Sequence, residues 1–177
     1  MKLRQLQVSA DNYEDRLVLR AVLGDSDEYR AYITRRLLHD MWPLLMHGLD
    51  DPSQDTPRMD DAAVHEAQLA AASGHDFAQA FDNPEPTFPL GSRPILVGEL
   101  SLQATQEKQY KLVLREPKAR AFTLNFDKSV LHTLCTMFKA AADVMQWGLS
   151  LEFAPGTPVL EQDFAPDLVP PPRSLLH

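Results

Sequence analysis

Six histidines and a single cysteine are the residues of this chain best suited to ligate a metal or act as a nucleophile. His39 and His47 stand two helical turns apart. They share a helix face but lie about 12 Å apart along the axis, too far for one ion. Val64-His65-Glu66-Ala67 lacks the second histidine that a zinc-protease helix requires. Cys135 follows His132 by one turn, a spacing open to a thiolate–imidazole pair. The same position falls within an apolar stripe, where a free cysteine acts as a small buried hydrophobe. Asp50-Asp51 and Asp60-Asp61 can attract a hard cation, yet they lack the spaced oxygens and the glycine of a calcium loop. Seven scattered glycines build no phosphate loop. These residues point to no reaction. The chain reads as a non-enzyme with no catalytic residue, no metal and no cofactor.

The basic residues carry more. Arg16, Val18 and Arg20 share one face of a strand, and so do Lys111, Val113 and Arg115. Arg30 and Tyr32 are placed to extend the first set, and Arg120 stands at the matching point of the second. Aromatic rings beside basic groups on an open sheet suit single-stranded nucleic acid, which needs stacking and phosphate neutralisation. The plainer reading is the solvated face of an antiparallel sheet.

Charge is sharply segregated. The chain of 177 residues has a formal charge of −8, which argues against a general polyanion binder. Residues 1–36 carry +1 and residues 93–128 carry +3, whereas residues 37–92 carry −9 and residues 129–177 carry −3. Hydrophobic residues make up 44%, enough for a real core and too many for a disordered chain. The single cysteine fits a reducing compartment. The N-terminus turns polar too soon for a signal peptide, and no apolar run is long enough to span a membrane. The expectation is a cytoplasmic protein.

The elements that must position these residues follow from periodicity. Leu3–Val8, Arg16–Leu23 and Tyr29–Ile33 alternate as strands. Thr34 is an N-cap for a helix through Leu38, Trp42, Leu45 and Leu49. Pro43 should kink that helix or delay its start, and Gly48 should end it. Asp60 or Asp61 caps a short helix over 62–72. Ile95–Gln103, Gln109–Arg115 and Arg120–Phe126 read as three further strands. Asp127 caps a helix with the stripe Leu131, Leu134, Phe138, Ala141 and Met145. Gly148 ends it, and Leu149–Phe153 forms a last strand. The predicted core holds Leu17, Leu19, Ile33, Leu112, Leu114, Leu124, Leu134 and Phe138.

Leu17-Val18-Leu19-Arg20 recurs as Leu112-Val113-Leu114-Arg115, Arg30-Ala31-Tyr32 as Arg120-Ala121-Phe122, and Leu37-Leu38-His39 as Val130-Leu131-His132. The common order predicts an α+β fold of two repeated βββα units. The strands are mostly antiparallel, helices cover the sheets, and a pseudo-two-fold relates the units. The expected organisation is a first unit over 1–49, an acidic linker with a short helix over 50–94, and a second unit over 95–153. A proline-rich tail over 154–177 completes one compact domain.

A duplicated strand-rich unit closed by a helix resembles the Whirly and PUR-type single-stranded nucleic-acid-binding folds. The repeated Leu-Val-Leu-Arg and the strand-to-helix joins at Thr34 and Asp127 carry the resemblance, over about residues 1–49 and 95–153. Three strands per unit stand here where those folds have four. The resemblance is one of architecture. It implies a ligand class and transfers no residue.

The tail holds six prolines, which exclude a helix over most of it and favour extended geometry. Val159, Leu160, Phe164, Leu168 and Val169 are its anchors. An arm of this length reaches about 60 Å, far enough to cross to a second copy, so a homodimer is expected. The leading functional expectation is a binding or scaffolding module that acts through protein contacts. The alternative is single-stranded nucleic-acid binding through Arg16, Arg20, Arg30, Tyr32, Lys111, Arg115 and Arg120. The acidic linker is opposite in charge to that face and is placed to mask it.

Overall fold

Alternating burial along Arg16–Leu23 sets the architecture of the first half: Leu17, Leu19 and Ala21 are fully buried while Arg16, Val18 and Arg20 face outward. In the computed structural model, which describes residues 2–51, 81–117 and 119–153, this segment is β2, between β1 (Leu3–Asp11) and β3 (Asp27–Thr34). Both pairs are antiparallel. Asp11 Oδ1 accepts from the backbone N–H of Tyr13 and Glu14, which fixes the β1–β2 turn. A two-residue strand, β4 (Ile95–Leu96), joins the far edge parallel to β3.

The second half repeats this element order. β5 (Glu99–Ala104), β6 (Gln109–Arg115) and β7 (Ala121–Asp127) form an antiparallel three-stranded sheet. A helix follows each meander: α1 (Arg35–Asp50) and α2 (Lys128–Val144). The caps are those expected, with Thr34 Oγ1 accepting from Leu37 N–H and Asp127 Oδ1 from Val130 N–H. The fold is therefore α+β, with two mostly antiparallel sheets and two helices among the described residues. All eight predicted core residues are buried, and residues of both sheets and both helices fall in one hydrophobic cluster. Each helix touches both sheets, α1 through β3 and β5, and α2 through β1, β2, β6 and β7.

Several expectations need correction. The segment Ile95–Gln103 is two strands, because the chain changes sheets at Val97-Gly98. Val97 N–H donates to Tyr32 O at 3.2 Å, and the next residue, Gly98, donates to Arg115 O at 2.9 Å. A Cβ on Gly98 would stand 2.5 Å from Pro117 Cγ, so the crossing has room only for glycine. Pro43 lies inside α1 without delaying its start. Pro43 and His39 are both exposed, so water can reach the carbonyl that the ring leaves without a donor. Gly48 does not end α1, which continues to Asp50. It is a point of close approach instead: a Cβ there would meet Leu102 Cδ2 at 2.8 Å. Residues 149–153 form no strand. Leu151 is buried and Phe153 packs edge-on to Trp42, so the alternation there reflects packing on the helices. The helix over 62–72 and the tail anchors Val159, Leu160, Phe164, Leu168 and Val169 lie outside the described residues.

Candidate interaction face

Cross-strand register brings the basic residues of the first sheet together. Arg20 on β2 stands opposite Arg30 on β3, Val22 opposite Glu28, and Val18 opposite Tyr32. These side chains point away from the helices, onto the outer face. Glu28, whose side chain has no exposed surface, lies between the two arginines. Its Oε1 accepts from Arg20 Nε at 2.9 Å and from Arg30 Nε at 2.6 Å, and Oε2 accepts from Asn83 Nδ2 at 3.3 Å. Burial pushes the Glu28 carboxyl up, but the bonds from Arg20, Arg30 and Asn83 outweigh it and hold the group below the usual carboxylate range. Arg20 Nη1 also donates to Gln7 Oε1 on β1.

The outer face is covered at this end by residues 81–94, the C-terminal part of the acidic linker. The Phe81 ring lies on the Arg20 guanidinium at 3.9 Å and the Phe88 ring on that of Arg30 at 4.5 Å. Thr87 forms a parallel bridge to Asp27, with Glu28 N–H donating to Thr87 O at 2.8 Å and Thr87 N–H to Ser26 O at 3.0 Å. Asn83 Nδ2 reaches Ser26 O, and Thr87 Oγ1 donates to Asp27 Oδ1 at 2.5 Å. Arg120 ties down the far end of the cover. It pairs with Glu116 and donates to Leu90 O at 2.9 Å and Arg93 O at 3.2 Å.

The remaining candidates stand apart from this cluster. Arg16 pairs with Glu14 at 3.2 Å and lies over Tyr32 at 5.1 Å, toward the other end of the same face. Lys111 and Arg115 are exposed on the outer face of the second sheet, where Arg115 stands 3.9 Å from Glu99. Lys111 stands opposite Gln103 and Asn125, Val113 between them opposite Ser101 and Thr123, and Arg115 opposite Glu99 and Ala121, while the aromatic rings Tyr110, Phe122 and Phe126 are buried on the inner side. Six of the seven residues predicted as one interface thus lie on two sheets, and Arg120 stands just before β7. Arg20, Arg30 and Arg120 are taken up by polypeptide groups.

The histidine and cysteine candidates differ in exposure. His39 is exposed, with Nδ1 3.0 Å from Asp40 Oδ1. His132 is buried, and its ring stacks on Phe153 at 5.1 Å. Cys135 is fully buried, and burial pushes its thiol far above the ordinary range, away from the thiolate that nucleophilic attack requires. Among the described residues no three His, Cys, Asp or Glu are grouped to hold a metal ion. Nor is any described helix long and apolar enough to cross a membrane.

Sequence reasoning missed Glu28, Phe81, Asn83 and Phe88. Glu28 was legible as the third member of the alternating set Glu28, Arg30, Tyr32. The two phenylalanines were legible only as apolar residues out of place in a polar, proline-rich stretch. No protein-family model matches the chain, and no curated protein or solved structure matches it.

Proposed function

We propose that the chain is a non-enzymatic binding or scaffolding module of the cytoplasm that acts through protein–protein contacts. One observation carries this reading: the basic face of the first sheet already holds polypeptide, with Phe81 and Phe88 on the guanidiniums of Arg20 and Arg30 and Glu28 between them. Arginines engaged in this way recognise aromatic and carboxylate side chains. A second copy of the chain is the first partner to test, because the proline-rich tail sequence carries five apolar residues, Val159, Leu160, Phe164, Leu168 and Val169.

Single-stranded nucleic-acid binding is the competing reading, and it draws on the open face that carries Lys111 and Arg115. Sedimentation equilibrium at micromolar concentration, on the full chain and on a chain ending at Phe153, separates the two when run beside oligonucleotide titrations in low salt. The expected result is a dimer that dissociates on truncation and binds oligonucleotide weakly. A full-length monomer that binds oligonucleotide tightly, with affinity falling as salt rises, overturns the reading.

A further inference from the structure

The face formed by Arg20, Arg30 and Glu28 holds its shape through its own strands. Glu28 bonds both arginines, and Arg20 also donates to Gln7, so none of these contacts depends on Phe81 or Phe88. A surface organised before its occupant arrives loses little on binding. The cover is held differently. Phe81 and Phe88 are only half-buried, and neither belongs to the hydrophobic cluster. Its backbone meets β3 at one bridge, through Thr87, and its far end is held by Leu90, which packs against the cluster and accepts from Arg120. Pro84, Pro86 and Pro89 favour an extended backbone and lower the entropy lost when the segment docks.

We propose that this face is a docking site for an extended, proline-containing polypeptide segment with two aromatic side chains seven residues apart, and that residues 81–90 occupy it in cis and compete with that partner. The proposal rests on the reading of the chain as a protein-binding module. The occupant's chemistry is that of the segment already seated: one ring on each guanidinium and one backbone bridge to Asp27. Two positive groups and one negative group give the face a low net charge, which suits an aromatic peptide better than a run of phosphates. A tethered segment competes at high effective concentration, so a partner in trans binds with its affinity lowered by the fraction of time the face is open.

The test is a titration of a fluorescent peptide of Phe81–Leu90 into the full chain and into the variant Phe81→Ala/Phe88→Ala. The variant binds the peptide at least about tenfold more tightly than the native chain, because its face is open more of the time. Adding Arg20→Gln and Arg30→Gln removes the gain. Asn83→Ala/Thr87→Ala loosens the cover while keeping both rings. It gives a smaller gain in the same direction, and it carries the test if circular dichroism shows the first variant unfolded. Equal affinity for native and variant chains overturns the proposal, as does no binding to a folded variant. With the dimer intact, that failure is confined to this partner. Oligonucleotide binding gained in place of peptide binding overturns both the docking site and the module reading.

Discussion

Arg20 and Arg30 keep 29% and 27% of their side-chain surface exposed while Glu28 keeps none, so the carboxylate depends on its partners more than they depend on it. Its folded-state acidity is stronger than in the unfolded chain, so its ionisation favours folding. That contribution is fully present above the unfolded value of about 4.3 and is lost as the pH falls through the lower folded value. Glu28→Gln should cost about 1–3 kcal/mol at neutral pH, the low end reflecting arginines that can rehydrate. The gap between variant and native urea midpoints should narrow below about pH 4. A gap that widens in acid would reverse the assignment. Cys135 gives a second test at this scale. Its thiol should stay unreactive toward a disulfide reagent in native buffer and react fully in denaturant. Rapid native labelling would mean that α2 opens or that the thiol is exposed. Glu28 shows how far sequence reading reaches for single residues: its place beside Arg30 follows from strand period, but its burial depends on Asn83 and the segment above it.

At the scale of elements, α2 is the clearest case of local signals agreeing. Asp127 caps it, and Leu131, Leu134, Phe138 and Ala141 recur at helical spacing and are all buried. Leu134→Ala should cost about 2–5 kcal/mol, read as a shift of the denaturant midpoint. A loss well below 1 kcal/mol would mean that neighbouring side chains collapse into the space. Strand β4 is the opposite case. Its alternation continues smoothly into β5, and only the separate partners, Tyr32 O for Val97 and Arg115 O for Gly98, divide the two. Hydrogen-bond partners distant in sequence leave no mark on local periodicity, so the break was invisible from residues alone.

Across the whole molecule, two tryptophans tie the C-terminal end of α2 and the segment after it to distant parts of the fold. Trp147 Nε1 donates to Asp15 Oδ1 at 2.6 Å, which joins the C-terminal end of α2 to the β1–β2 turn. Trp42 Nε1 donates to Glu152 O at 3.0 Å. Asp15 also has a left-handed backbone, φ 51°, which Asp tolerates better than Ala. Asp15→Ala should therefore cost about 1–3 kcal/mol in urea titrations followed by tryptophan fluorescence, since it leaves the buried Trp147 N–H without this acceptor. Asp15→Asn, which keeps the oxygen, should recover most of it. Taken alone, the sequence determined most of the strands, the helix caps, the buried stripes and the α+β class, because periods of two and 3.6 residues and capping bonds act between near neighbours. Tertiary structure decided which outer face stays open. Phe81 and Phe88 reach Arg20 and Arg30 only once the chain has folded back from α1, and that return depends on contacts between residues far apart in sequence. The same alternating pattern of basic residues therefore became a covered face on the first sheet and a solvated one on the second.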